Sequence, residues 1–368
     1  MDAPSEKRTT IVHPVTSLYL DAVRFSAAML VLVGHLAAQR FTDGLFWQVA
    51  PYKADAVTVF FVLSGYVIAY VSDGRETTAR SYAMARVARI ASVGVPALVL
   101  AYWLDRWGMM LRPDLQAAGL SYDVTRLEQD YLRNVVFLGR IWFDERLPGS
   151  MGPWWSLNYE VWYYVAFGLI LFARGAVRLT ALGLLLLVLG PFVALHWPIW
   201  LMGVGAYALR DRLSPRAGLW LALLAAVAIL PVAGWGFPPL EFPVELTPAA
   251  LGRRYAIGGL FAAHLIGVAA AAPMLGRPPR WLVGAVRWLA GATFTIYLLH
   301  LPVAHFLTTV LPWPPRETAS RAAMYGITLV VLFAVAAVTE RRKDLWRRWI
   351  EALAARSVPM VKKLAAGP

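Results

Sequence analysis

Long apolar segments recur from one end of this chain to the other, separated by short polar or basic connections. A helix needs about 20 apolar residues to cross the hydrocarbon core of a bilayer, which is about 30 Å thick. By this measure the sequence predicts an all-α integral membrane protein, a single polytopic bundle of about ten transmembrane helices. The predicted spans are residues 18–38, 54–72, 91–109, 154–173, 177–195, 196–209, 217–233, 251–273, 288–311 and 320–339, the fifth and sixth being divided at His196-Trp197-Pro198.

Composition agrees with a membrane protein and narrows its chemistry. The 368 residues are 59% hydrophobic and 15% charged, against about 25% charged in soluble domains. The absence of cysteine excludes disulfides, thiolate metal sites and a cysteine nucleophile, and no metal site is expected. A net charge of +13 would suit a nucleic-acid binder, but the basic residues flank apolar spans. Anionic lipid headgroups or an anionic cytosolic ligand are the better partners, and no nucleic acid is expected.

Basic residues also indicate orientation, because Lys and Arg are retained on the cytoplasmic side. Of the 35 Lys and Arg residues, 22 lie in the tails and connections on the N-terminal side, and 12 lie opposite. We therefore expect an inner (plasma) membrane protein with both termini cytoplasmic. Its membrane domain is predicted at 1–340, with an outer loop at about 110–152. The basic tail at 341–368 has tryptophans among its cations and is interpreted mainly as a topology anchor.

Arg24 and His35 lie within the first span, where ionisable groups are costly and usually functional. Eleven residues separate them, which places both on one helical stripe, about 16 Å apart along the axis. Arg24 cannot lose its proton, so it needs a partner, and Asp21 is close enough in sequence to supply one. A neutral His35 can remove a proton from a hydroxyl or accept an acyl group. The alternative is a histidine that serves helix packing.

Two polar groups lie in or beside the second and third spans. Ser64-Gly65 is typical of close helix packing, and no base or strand-to-helix elbow supports a nucleophilic Ser64. Arg86 and Arg89 precede the third span and share one face if that segment is helical. Paired guanidiniums at a membrane surface suit phosphate binding, although ordinary positive-inside flanking explains them equally well.

Polar residues also interrupt the fourth and ninth spans. Trp154 and Trp155 alone are typical of an interfacial aromatic belt. Glu160 precedes an apolar, aromatic run and must therefore face protein or a water-filled cavity. In the ninth span His300 follows several hydroxyl residues, and a single histidine there is more often structural.

Taken together, these motifs resemble acyltransferase family 3 of the membrane O-acyltransferases. The resemblance covers about residues 17–340 and follows the family's order along the chain. Its motifs are Leu20-Asp21-x-x-Arg24, Arg24-x10-His35, Phe60-Phe61-x-x-Ser64-Gly65-Tyr66, Arg86-x-x-Arg89, Trp155-Ser156-x-x-x-Glu160 and Thr295-x-Tyr297-x-x-His300. Two features depart from many members: Thr58 stands where an acidic residue is usual, and an appended esterase-like domain is missing, which implies a stand-alone transferase.

The resemblance implies transfer of an acyl group, usually acetyl, from cytosolic acyl-CoA to a hydroxyl of a cell-surface polysaccharide, lipid-linked sugar or related glycan. Acyl-CoA is then a donor substrate and not a resident cofactor. His35 is expected to be a general base or a transient acyl carrier, Arg24 to orient the donor, and Glu160 to orient the imidazole or bind the acceptor. The remaining expected assignments are Arg86, Arg89, Ser64 and Tyr66 to the donor, and Trp155, Ser156, Tyr297 and His300 to the acceptor.

The main alternative is a transporter or flippase for a small anionic or glycan substrate, since charged groups in spans also mark transport pathways. That class favours repeats between the two halves of the chain. The Arg-x10-His pattern of the first span has no counterpart in the sixth. The sequence indicates neither the acceptor, nor the acyl length, nor the oligomeric state.

Overall fold

The computed structural model describes residues 12–74, 76–117, 124–234, 246–349 and 351–352. These residues form helices, turns and irregular connections, with no strand among them. Much of the predicted C-terminal tail, residues 353–368, lies outside the described residues, as do 118–123 of the predicted outer loop. The helices are α1 Pro14–Leu36, α2 Gln39–Thr42, α3 Lys53–Ser72, α4 Ala79–Leu111, α5 Pro113–Ala117, α6 Leu127–Val135, α7 Trp154–Phe172, α8 Gly175–Leu189, α9 Pro191–Leu209, α10 Pro215–Gly234, α11 Pro248–Ala271, α12 Arg280–Ala290, α13 Thr293–Val310 and α14 Thr318–Val338.

The predicted class is confirmed: the chain is an all-α polytopic membrane protein. Within the described ranges, eight helices are long and apolar enough to cross a bilayer. Two further helices, α7 and α8, match the fourth and fifth predicted spans. Helix α7 carries several polar side chains, and α8 has only 15 residues. Ten helices therefore correspond to the ten predicted segments, and eight of them satisfy the length and hydropathy of a span on their own.

Two predicted boundaries are wrong. The chain breaks between α8 and α9 at Gly190, whose φ of 82° favours glycine, and Pro191 then begins α9. His196 and Pro198 lie inside that helix. The predicted ninth span is also divided, because the chain turns at Gly291 and Ala292 between α12 and α13.

Successive long helices end alternately at two faces of the bundle. At one face Tyr207, near the end of α9, donates a hydrogen bond of 2.8 Å to Asp73, which follows α3. We call this the terminal face. At the opposite face Arg321, near the start of α14, donates to the carbonyl of Thr42 at 2.9 Å. We call this the loop face, because it carries the long connection between α4 and α7.

Close packing of α3 against α9 sets the centre of the bundle. A Cβ atom on Gly65 would lie 2.0 Å from the Trp200 carbonyl oxygen, and one on Gly203 would lie 1.9 Å from that of Val62. Small residues of this kind allow the two helix backbones to approach closely in a membrane. The predicted packing role of Ser64-Gly65 therefore describes Gly65 well, and the approach brings Ser64 beside Trp200.

Helix α4 begins earlier than the predicted third span. Thr78 accepts a hydrogen bond from the backbone N–H of Ser81 at 3.1 Å, and the Ser81 hydroxyl accepts one from the backbone N–H of Thr78. This capping box stabilises the first turn. Arg86 and Arg89 consequently lie within α4 itself, on its terminal-face half.

Candidate active site

Two cavities meet at Arg24 and Arg89. The smaller one, which we call the inner chamber, has a volume of about 60 Å³. Its polar lining is Arg24, Ser64, Arg89, Ser156, Glu160, Tyr164, Thr293 and Tyr297. The larger one, which we call the vestibule, has a volume of about 610 Å³ and lies toward the terminal face. Both cavities are lined by Arg24, Arg89 and Phe294, so they adjoin one another, and we call the two together the path.

Arg24 is half-buried on α1 and lines both cavities. The expected ion pair with Asp21 is not formed, although Asp21 lines the same vestibule. Within the described part of the chain, the guanidinium of neither Arg24 nor Arg89 makes a hydrogen bond or an ion pair with another residue. Each guanidinium keeps its donors directed toward shared cavity space, which suits binding of an anionic or carbonyl-bearing ligand.

Glu160 provides the carboxylate of the inner chamber. It accepts a hydrogen bond of 2.6 Å from the Ser64 hydroxyl and a short one from Tyr164 on the next turn of α7. The chamber lining thus holds one carboxylate and two guanidiniums. Glu160 contacts Ser64 and Tyr164 and does not contact His35, so its expected role in orienting the imidazole has no contact to support it.

The Ser64 hydroxyl is both a hydrogen-bond donor and a hydrogen-bond acceptor in this arrangement. Its hydroxyl donates to Glu160 and accepts a hydrogen bond of 3.1 Å from the Trp200 indole. A serine nucleophile requires a base that removes its proton, and here the proton points at a carboxylate that also holds Tyr164. Tyr66, the other residue expected at the donor, lies elsewhere: its ring packs against Tyr207, and it lines neither cavity.

Arg86 and Arg89 have different surroundings, although three residues separate them. Arg86 pairs with Glu76 and lies over the ring of Tyr82, 4.9 Å from its centroid. Burial raises the pKa of the Glu76 carboxyl, and the adjacent Arg86 guanidinium acts in the opposite direction. Arg86 lines a separate apolar groove and neither of the two cavities. Of this pair, the structure brings only Arg89 to the path.

His35 and His300 form a directed pair across α1 and α13. His300 Nδ1 lies 2.9 Å from the Ile296 carbonyl oxygen, which can only accept, so this nitrogen carries the proton in the neutral ring. His300 Nε2 is then an acceptor, and the Nδ1–H of His35 donates a hydrogen bond of 2.9 Å to it. The Nε2 atom of His35 keeps its lone pair. His35 remains partly accessible and lines neither cavity, and within the described residues its Nε2 forms no hydrogen bond.

The residues expected at the acceptor divide into two groups. The hydroxyls of Ser156 and Tyr297 lie 2.7 Å apart, and both residues line the inner chamber. Trp155 lies outside it, with its ring 5.3 Å from that of Tyr159 and with the guanidiniums of Arg140 and Arg254 near its face. His300 contacts His35 and does not line the chamber. Among the described residues, no group of three or more His, Asp and Glu side chains is placed to hold a metal ion.

Sequence reasoning missed three contributors to this site. Tyr164 lies four residues after Glu160 on α7, and helical spacing alone could have indicated that contact. Trp200 comes from α9 and reaches Ser64 only through the close approach at Gly65. Glu340 lines the vestibule from beyond α14, and no local pattern indicated it.

Comparison with known proteins identifies the family of this chain. The family model described as an acyltransferase domain matches residues 17–341. The exopolysaccharide production protein ExoZ of Rhizobium meliloti (strain 1021) is 29% identical over 232 residues, which cover 56% of this chain and 66% of that protein. The alignment therefore spans just under two thirds of the relative's length. No solved structure matches the chain. The family match includes every site residue described above, from Arg24 to Glu340, and the chain belongs to acyltransferase family 3 as a polytopic membrane acyltransferase.

Proposed function

We propose that this enzyme moves an acyl group from cytosolic acyl-CoA to a hydroxyl of a cell-surface polysaccharide or lipid-linked sugar. The observation that carries the proposal is the directed pair of His35 and His300. A neutral imidazole with a free Nε2 lone pair is the group that general-base catalysis of hydroxyl acylation requires. Its partner holds the other nitrogen, as the orienting residue of a catalytic triad does.

The two cavities support the donor side of the proposal. The vestibule and the inner chamber lead from the terminal face toward the interior of the bundle, with Arg24 and Arg89 at their junction. The chamber, at about 60 Å³, is of a size for an acetyl group and not for a nucleotide. In this proposal the nucleotide end of the donor stays in the vestibule. Arg24 and Arg89 hold the connecting arm, and the thioester lies beyond them, toward His35.

The orientation follows from the distribution of basic residues. Retention of Lys and Arg in the cytosol supports a cytosolic position for the terminal face, for both termini and for the mouth of the vestibule. Acyl-CoA is a cytosolic metabolite, so in this orientation the donor and the mouth of the vestibule are on the same side of the membrane. His35 lies about three helical turns beyond Arg24 along α1, toward the loop face. The acceptor then enters from the outer side of the plasma membrane.

The reaction balances without a resident cofactor. His35 Nε2 takes the proton of the acceptor hydroxyl while that oxygen attacks the thioester carbonyl carbon. Collapse of the tetrahedral intermediate breaks the carbon–sulfur bond, and the departing thiolate receives the proton from His35. The products are an ester and free CoA. His300 keeps His35 in the tautomer whose Nε2 carries the lone pair. It accepts a hydrogen bond from the Nδ1–H of His35 throughout the reaction.

A glycan acceptor is favoured by the relative, whose name connects it with exopolysaccharide production. Ser156, Tyr297 and Glu160 offer hydroxyl and carboxylate groups to sugar hydroxyls at the inner chamber. Trp155, which is half-buried at the loop-face end of α7, supplies an aromatic surface of the kind that stacks on sugar rings.

The decisive experiment compares wild-type protein, His35→Ala and His305→Gln in lipid vesicles. Each is incubated with acetyl-CoA labelled in the acetyl group and with glycans extracted from the source cells. We expect label in the glycan with wild-type protein and His305→Gln, and loss of at least about 100-fold with His35→Ala. Equal transfer by His35→Ala would refute the role of His35. Movement of intact substrate across the vesicle without acyl transfer would instead favour the transporter alternative.

A further inference from the structure

The chain that follows α14 is bound to the start of α13. Glu340 accepts hydrogen bonds from the backbone N–H groups of Phe294 at 3.2 Å and Thr295 at 3.0 Å, and from the Thr295 hydroxyl at 3.1 Å. The N-cap residue of α13, Ala292, has no side chain that can cap the helix. Glu340 therefore satisfies backbone donors that the helix leaves free, and its charge interacts favourably with the helix dipole.

A second contact fixes the same segment to α12. Arg341 Nη2 donates a hydrogen bond of 3.0 Å to the carbonyl of Trp288, and its guanidinium lies 4.2 Å above the centroid of the Trp288 ring. Because Glu340 is bound to α13 and Arg341 to α12, the start of the chain after α14 is held beside the vestibule, which Glu340 lines. The role of topology anchor expected for this tail does not account for these contacts.

Held in this way, the segment supplies charged residues to the vestibule wall. Lys343, Asp344 and Arg347 line it, together with Arg287 of α12. In total, five cationic side chains and three carboxylates line the vestibule, a formal excess of +2. One of those carboxylates, Glu340, is already engaged by α13, and Arg347 donates a hydrogen bond of 2.8 Å to Glu351, which does not line the vestibule. Lys343 and Arg347 are both exposed and lie beyond residue 341, where the family match ends.

We propose that Lys343 and Arg347, together with Arg287, bind the phosphate groups at the nucleotide end of the donor. This inference rests on the proposed function and adds to the donor site two residues, Lys343 and Arg347, that lie outside the family match. Arg24 and Arg89 lie at the inner end of the vestibule, so a long anionic donor held there extends its phosphates toward the rim. Ammonium and guanidinium groups at that rim provide charge-assisted hydrogen bonds to phosphate oxygens.

The test uses full-length protein in nanodiscs of zwitterionic lipid and compares two charge-matched double variants. Lys343→Ala with Arg347→Ala removes the proposed phosphate ligands. Arg342→Ala with Arg348→Ala removes the same charge from the same segment but from residues that do not line the vestibule. Calorimetry measures the Kd of acetyl-CoA and of its analogue without the 3′-phosphate.

We expect the first variant to bind acetyl-CoA about 10- to 100-fold more weakly, and the second to stay within about twofold of wild type. Wild-type protein should also prefer acetyl-CoA over the analogue, and the first variant should lose that preference. Equal Kd values for all three proteins, or equal weakening in both variants, would overturn the inference.

Two further measurements distinguish other reasons for a negative result. Absence of acetyl-CoA binding by wild-type protein would refute the proposed function itself and the inference with it. Native mass spectrometry in discs containing phosphatidylglycerol tests a lipid headgroup as the phosphate source. Loss of bound phosphatidylglycerol in Lys343→Ala with Arg347→Ala, with unchanged acetyl-CoA affinity, would overturn the nucleotide assignment alone.

Discussion

His35 Nδ1 lies 2.9 Å from His300 Nε2, although 265 residues separate the two histidines in sequence. The contact joins α1 to α13 through His35 Nδ1, and in the described chain His35 Nε2 forms no hydrogen bond. The Ile296 carbonyl determines the direction of both hydrogen bonds, because it cannot donate. The Nε2 lone pair of His35 on α1 therefore depends on the Ile296 carbonyl of α13.

Replacing His300 by alanine should reduce kcat, because His35 would then lose the acceptor that fixes its tautomer. We expect a decrease of about 10- to 100-fold with little change in the KM for acetyl-CoA, and an altered pH profile of kcat. His300→Gln should retain more activity, since an amide can donate to Ile296 and accept from His35. His305→Ala on the same helix is the control. Wild-type kcat in His300→Ala would show that the pair is structural.

Hydropathy was sufficient to predict the ten helical segments, because each must cover a similar apolar thickness. It misplaced the break between α8 and α9, since Pro198 is tolerated inside an apolar helix while Gly190 reverses the chain. The Arg24-to-His35 spacing on one helix was predictable from periodicity. The partners of His35 and Ser64 were not, because they come from helices distant in sequence and depend on tertiary packing.

Ser64→Ala tests whether the serine takes part in covalent chemistry. Its hydroxyl donates to Glu160 and accepts from Trp200, so we expect transfer activity to fall by no more than about tenfold, the cost of one or two neutral hydrogen bonds. A nucleophile would lose several orders of magnitude. Acetyl transfer by Ser64→Ala, together with the absence of an acetylated Ser64 peptide in quenched wild-type reactions, would establish the hydrogen-bonding role.

Gly65→Ala should destabilise the bundle, because its new methyl group would lie 2.0 Å from the Trp200 carbonyl oxygen. Because the clashing atom belongs to a helix backbone and not to a flexible side chain, we expect a loss of about 1–3 kcal/mol in the free energy of unfolding. Gly205→Ala, on α9, is the matched control, since its Cβ would meet nothing within 4 Å. Unfolding in a graded series of sodium dodecyl sulfate fractions measures both. Equal stability of the two variants would contradict the close packing of α3 and α9.

Glu340→Ala should remove the cap of α13 and release the segment that carries Lys343. A lost cap costs about 1 kcal/mol of stability, and here three hydrogen bonds to the carboxylate disappear together. Glu317→Ala is the control, because Glu317 occupies the N-cap position of α14 without a capping hydrogen bond from its side chain. The melting temperature in detergent should fall for Glu340→Ala alone. Hydrogen exchange should increase in the first turn of α13.

Arg89 and Arg86 should differ in function, since only Arg89 lines the path that we assign to the donor. Arg89→Ala is expected to raise the KM for acetyl-CoA by about 10-fold or more, through loss of a charged hydrogen-bond donor. Arg86→Ala should leave that KM within about twofold and lower stability by about 1–3 kcal/mol, because Glu76 loses its buried partner. Adding Glu76→Gln to Arg86→Ala should restore part of this stability, as expected for a coupled pair. An equal rise in KM for both single variants would indicate that the two arginines bind the donor jointly.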